Sequence, residues 1–397
     1  MISSFQKVLV LFLLLLVILL VCGCSEEDKT DTPVVPTIPG PSIAEIEGIN
    51  IRAGSFLVYD SIGRQVAVPT QVSSVVCSGD GCLRLITMLK AEDRIVGVDE
   101  SETILSDQDA IDYTLVYPGY SGLPAITDSS GTIDPERIKL LQPLPDIILI
   151  MDNDQGFSPD ELWKQTGIPV IVIRPGNLFE KQDEFEYSVR LLGIVLNIRD
   201  RAEAVIQFFK TLKGNLNDRI AALTVDSTRT AYVGGTSEGH VRDILDTTPG
   251  YMPFQLAGVR QLPMSLATGN VTQSIVHISL PELVAEQPDA VFIDLATMQN
   301  DDNAVTELQT YPTYTRITAV SDGSVYGLLP CKLHGYNYGS IIANAYYVGK
   351  TLYPDKFSDV NPELMADDIF TFLYGKPLFN RLDQSLSGYA FHKIPLT

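Results

Sequence analysis

The stretches "LQPLPDIILIMD", Leu141 to Asp152, and "VAEQPDAVFIDL", Val284 to Leu295, decide the fold. Each leaves a helical phrase, passes through Pro-Asp, and enters a run of almost uninterrupted apolar residues. A strand with one wet face alternates apolar and polar residues. A strand apolar throughout is buried on both faces, which is the pattern of a parallel sheet covered by helices. The phrase occurs twice in equivalent settings, so the chain reads as two α/β halves of duplicated architecture.

Outward from these phrases the rhythm is strand–helix–strand. "SFLVYDSIGRQVAVP", Ser55 to Pro69, alternates around a Ser-Ile-Gly turn and predicts a β-hairpin. "VSSVVCSG" and "DRIVGVDE" read as strands, with the helix "CLRLITMLKA" between them. "IDPERIKLL" predicts a helix capped by Asp134 with Pro135 at its first position, and "PDELWKQTG" and "IPVIVIRP" continue the alternation. From Phe185 to Leu223 the period changes to that of helix without proline. Gly193 and Gly214 leave open whether this is one broken helix or two. The α/β pattern then restarts with "TRTAYVGG", "SLPELVAEQ", "PDAVFIDL", "GSVYGLLP" and "GSIIANAYYVGKTLYP". The fold class expected is α/β, two lobes with parallel-sheet cores joined by a long connecting helix, with a ligand cleft between them.

The amino terminus sets the compartment. Val8 to Val21 are fourteen uninterrupted apolar residues after Lys7, too short for a span of about 20 residues and suited to a signal-peptide core. "VCGC" closes the run and "SEED" follows at once. That junction resembles the lipobox of prokaryotic lipoproteins, which implies lipidation of Cys24 and an anchor on the outer face of the cell membrane. Residues 1–24 are then a signal peptide and 25–48 an unfolded Pro/Thr-rich tether. Residues 49–184 form the first lobe, 185–223 the connecting helix and 224–397 the second lobe.

The chain is 45% apolar and 19% charged, with a formal charge of −21 that becomes one unit more negative when the signal and its Lys7 are removed. Such acidity excludes nucleic acid as a partner, since phosphate binding needs basic patches.

Several phrases, in order, resemble the substrate-binding proteins of ABC importers for iron complexes, haem and cobalamin. They are "VYDSIGRQVAVPTQVSSVV", "LITMLKAEDRIVGVDE", "IDPERIKLLQPLPDIILI", "AYVGGTSEGH", "ISLPELVAEQPDAVFID" and "ANAYYVGKTLYPDKFSDVNPELMADDIFTFLYGKP", within a stretch from Ser55 to Phe379. The resemblance implies a monomeric, non-enzymatic carrier without a cofactor. Such a carrier captures a metal chelate (ferric siderophore, haem or a cobalamin-like molecule) between its lobes and delivers it to an ABC permease. Ligands of open α/β sheets sit outside the carboxyl ends of the strands. The cleft candidates are therefore Ser78, Gly79, Asp80, Asp152, Asn153, Gly235, Thr236, His240, Tyr336, Asn337 and Tyr338. The resemblance also implies one permease-docking glutamate per lobe. Glu136 matches in the first. In the second, Pro281 stands at the matching position and Glu282 follows it.

The four histidines, His240, His277, His334 and His392, show no zinc-type spacing, so no dedicated metal cage is expected. No Walker motif occurs. Two other readings stay open: a lipid-anchored metal-dependent hydrolase using His240, His334 and Asp152, and a sensor or adhesin on the same body. Cys77 and Cys82 bracket "SGDG", and outside the cytoplasm they are a disulfide, a pair of buried thiols or, less in keeping with the spacing, metal ligands.

Overall fold

The computed structural model describes residues 54–106, 109–152, 158–236, 243–265 and 275–396. The expected signal peptide with Cys24, the expected tether, Asn153 and His240 lie outside the described residues.

The chain enters through the antiparallel hairpin β1 (Ser55–Tyr59) and β2 (Gln65–Pro69). The first lobe is a parallel four-stranded sheet of β3 (Val75–Ser78), β4 (Ile95–Gly97), β5 (Ile147–Met151) and β6 (Val170–Ile173), in the order β4-β3-β5-β6. Its helices are α1 (Cys82–Met88), α2 (Glu100–Thr103), α3 (Asp112–Val116), α4 (Pro135–Lys139) and α5 (Pro159–Thr166). The expected cap is in place, the Asp134 side chain accepting from the amides of Glu136 and Arg137, and Ser158 likewise accepts from that of Glu161.

The apolar strand phrase explains the layering. Ile147, Leu149 and Met151 of β5 join the main core, whereas Ile148 and Ile150 join a second cluster with Val76, Ile138, Leu141 and Leu162 on the other face. Successive side chains of one strand thus feed two cores, which is why none of the five is polar.

Two helices follow, α6 (Gln182–Val195) and α7 (Arg199–Ile220). The connector is therefore a pair of helices rather than one. The break falls at neither glycine but at Leu196–Ile198, where Asn197 takes a positive φ of 55°, a conformation asparagine tolerates. Gly193 instead lets the two helices cross closely, since a Cβ there would lie 2.5 Å from Cβ of Ala202. Arg201, near the start of α7, donates to the carbonyls of Met88, Phe372 and Leu373. Arg219, near its end, grips both carboxylate oxygens of Asp359.

The second lobe carries β7 (Thr230–Gly234), β8 (Asp246–Thr247), β9 (Arg260–Gln261), β10 (Val276–His277), β11 (Ala290–Asp294) and β12 (Val325–Leu328). Its parallel sheet runs β12-β11-β7-β9. Read from the other edge, β9-β7-β11-β12 has the connectivity of β4-β3-β5-β6, and β11 holds the place of β5. The duplication expected from two short phrases is thus a duplication of topology. Its helices include α8 (Met252–Ala257), α9 (Leu280–Glu286), α10 (Ala304–Thr310) and α11 (Tyr338–Leu352). The last two, α12 (Pro362–Tyr374) and α13 (Phe379–Ser385), reach back to the first lobe. There Tyr374 bonds Asp112, and Lys376 and Arg381 donate to the carbonyls of Val116 and Leu115.

Candidate ligand cleft between the lobes

In each sheet the chain turns from one side to the other between its two central strands, β3 and β5 or β7 and β11. The crevice outside their carboxyl ends is the usual ligand site of such sheets. The two crevices face one another here. A partly open cavity of about 160 Å³ lies between them. Asn177 and Glu180, following β6, form its first-lobe wall, and Thr236, Tyr251, Asp294, Cys331, Lys332 and Tyr336 are among its second-lobe residues.

The floor is a polar chain inside an apolar lobe. Tyr251 Oη donates to Asp294 Oδ2 at 2.9 Å, Cys331 Sγ donates to Tyr251 Oη at 3.0 Å, and Asn344 Nδ2 donates to Cys331 Sγ at 3.2 Å. The backbone amides of Ala296 and Cys331 also donate to Asp294. Burial pushes the Asp294 carboxyl up to about 6 despite these donors, and burial, with Asp294 beside it, pushes the Cys331 thiol well up. The rim is different. Asn177 Oδ1 accepts from the amides of Phe179 and Lys181, so its NH2 group is what it can offer a guest. Lys332 Nζ stands 5.2 Å from the Tyr336 ring centroid. The cleft therefore offers both hydrogen-bond donors and carboxylates, with aromatic faces between.

Beside the cavity the lobes are in direct contact. Arg84 of α1 is fully buried, ion-paired to Asp112 at 2.9 Å, and donates across the seam to the carbonyls of His334 and Leu333 at 2.6 and 2.8 Å. Gly335 lies against the "SGDG" loop so closely that a Cβ on it would come within 2.8 Å of Gly81 Cα. Tyr338 Oη donates to Pro175 O at 2.6 Å, and Gln299 Nε2 to Asp109 O at 3.0 Å.

Of the cleft candidates, Thr236 and Tyr336 line the cavity. Ser78 and Gly79 both donate to Asp99, which holds their loop at the seam but outside the cavity. Asp80 belongs to this loop and supplies negative charge near Lys332 and His334. Asp152 pairs with Arg174 at 2.9 Å. Gly235 packs on Ala304 and Thr297. Asn337 is buried and donates to Pro330 O, and Tyr338 is buried against Phe185. Asp294 went unread although it ends its strand phrase as Asp152 ends the other, so a signal for it was present. Asn177, Glu180, Tyr251, Cys331 and Lys332 carried none.

Cys77 and Cys82 form a disulfide across the loop, with Cα atoms 5.8 Å apart. The hydrolase reading finds no support, because Asp152 is held by Arg174 while His334 faces Glu102, its Nδ1 3.9 Å from Oε1. Among the described residues one trio has the composition of a cation site. His277 Nδ1 lies 2.9 Å from Asp246 Oδ1 and 3.8 Å from Asp243 Oδ1, at the β8–β10 pairing. The same contacts are those of an exposed histidine hydrogen-bonded to a carboxylate.

Residues 75–330 match the family described as periplasmic binding protein. The molybdate-binding protein MolA of Haemophilus influenzae is 21% identical over 340 residues, 80% of this chain and 90% of that protein. A periplasmic solute binding protein from Veillonella parvula superposes with a TM-score of 0.65 at 16% identity, covering 86% of this chain and 98% of the other. CeuE of Helicobacter pylori with Ni(II) bound gives a TM-score of 0.56 at 14% identity, covering 84% and 99%. The structural likenesses show the same bilobed fold, and the family match covers well over half the chain. The chain belongs to the periplasmic binding protein family, the extracytoplasmic, non-enzymatic carriers that hand a small ligand to an ABC permease.

Proposed function

We propose that this protein captures a compact metal-containing ligand in the interlobe cleft and presents it to its permease from a lipid anchor at Cys24. The observation that carries the reading is the cavity itself, walled by both lobes at the carboxyl ends of their strands. Its volume of about 160 Å³ is below the ~300 Å³ at which pockets for drug-sized ligands begin. A small chelate or an oxo-metal ion suits that space better than haem or a corrinoid, which would require the seam to part. Lys332 and the Asn177 amide suit the oxygen ligands around a metal, while Glu180 and Asp294 suit a cationic or N–H-bearing edge. A relative named as molybdate-binding, and a similar structure with Ni(II) bound, agree with a metal as the recognised element.

Native mass spectrometry with absorption spectroscopy on protein purified from its own host tests the reading. One small metal-containing adduct per chain supports it. A haem or corrinoid spectrum would overturn the compact-ligand proposal, and turnover of an ester or phosphate by clean protein would overturn transport. For the anchor, Cys24→Ala should release the protein from membranes; retention of an uncleaved chain would remove that part. Docking is assigned to Glu136, whose side chain is 76% exposed in the first turn of α4, and to Glu282, which accepts from Ser265 Oγ at the start of α9.

A further inference from the structure

A second cavity, of about 130 Å³, lies within the first lobe and shares no residue with the cleft. Glu102, Thr114, Tyr117, Tyr120 and Ser121 are among its walls, with Leu105 and Pro118 adding carbon surface. Among the described residues no basic side chain lines it.

Its chemistry is one-sided. Glu102 is 6% exposed, and among the described residues its carboxylate receives hydrogen bonds only from Tyr113 Oη, at 2.9 and 2.8 Å. The basic groups nearby leave it short of positive charge. His334 Nδ1 is 3.9 Å away on an imidazole that burial holds below its ordinary range, and Arg84 is committed to Asp112 and to two carbonyls. Thr114 Oγ1 donates its proton to Ile111 O and Ser121 Oγ to Pro118 O. Each hydroxyl can therefore offer a guest lone pairs only. Tyr120 Oη is engaged with Thr87 Oγ1 at 2.8 Å, so the ring is what Tyr120 contributes. A guest must bring protons and positive charge to the carboxylate end and carbon to the other.

We propose that this cavity is a second binding site, for a small primary-amine cation, with the ammonium against Glu102 and the carbon end against the Tyr117 and Tyr120 rings. Burial pushes the Glu102 carboxyl up to about 7, as expected of a buried acid lacking a counter-charge, and a bound ammonium would draw it back down. An ammonium with a short carbon stem satisfies the acceptors and fills the apolar end. A bare alkali ion leaves that end empty.

The test titrates methylammonium chloride into the full-length protein in detergent and follows tyrosine ring resonances, with potassium chloride and tetramethylammonium chloride as parallel arms. Saturable methylammonium binding is expected, weakened at least tenfold in the near-isosteric Glu102→Gln and several-fold in Tyr117→Leu, a half-buried position. Tetramethylammonium, which has no N–H, should fail to bind. Absence of saturable binding, equal affinity in Glu102→Gln, or potassium binding as tightly as methylammonium would each overturn the proposal, the first leaving the cavity to water.

Discussion

Glu102 and Asp294 are carboxyls that burial holds above the ordinary range, to about 7 and about 6. Their linkage to stability has the opposite sign to that of a salt-bridged acid. Below about pH 3 both are largely protonated, folded or unfolded, and neither penalises the fold. As the pH rises, the unfolded chain ionises first, so stability is lost until the folded-state value is passed. For Glu102 the window runs from about 4.5 to about 7, and the full loss is roughly 3 kcal/mol. Tyr113, Asp99, Arg84 and Asp80 set the local field, and they remain in Glu102→Gln. That variant should therefore gain thermal stability relative to wild type as the pH is raised from 4.5 to 7. Parallel melting curves across the window would refute the assignment. Residues of this kind are the hardest to read from sequence. "CLRLITMLKA" places Arg84 on an amphipathic helix where a solvated arginine is the ordinary expectation. Its partners are Asp112, and carbonyls some 250 positions away at Leu333 and His334. Only the packed lobes bring them together.

At the scale of elements, the sequence pattern carried most of the fold. Both central strands, the hairpin, the Asp134 cap and the helical connector stand where period and capping place them. What escaped were features set by close approach: the break at Asn197, the two-residue strands β8 and β10, and the return of α12 and α13 to the first lobe. The cleft was legible by strand ends and not by residue. Loops after β3, β5 and β7 were anticipated, but which side chains turn into the cavity depends on the seam. The contact of Gly335 with Gly81 fixes that seam. Gly335 has φ of 86°, and a side chain there meets backbone within 3 Å. Gly335→Ala should cost about 1–3 kcal/mol in strain and expand the protein measurably in small-angle scattering as the lobes part. An unchanged radius of gyration with unchanged stability would show that the contact does not hold the lobes together.

As a whole molecule, the two-lobed body is braced by α7 and by the returning α12 and α13, and its cleft is largely pre-formed. Little hinge motion is then available, so under the proposed function specificity would reside in residues already placed along the cavity wall, such as Lys332, Tyr336, Glu180 and Asn177. If Glu136 meets a basic group on the permease, Glu136→Arg should abolish uptake in cells while leaving cleft occupancy unchanged. Normal uptake would remove Glu136 from the docking surface. The central claim, that cargo is a metal species held between the lobes, is tested most directly by metal content per chain in protein from its own host. The comparison is wild type against Thr248→Trp, which puts a large side chain into the cavity wall. About one equivalent of a single metal is expected in wild type, with its loss in the folded variant. Equal metal content in both, or none in either, would contradict it.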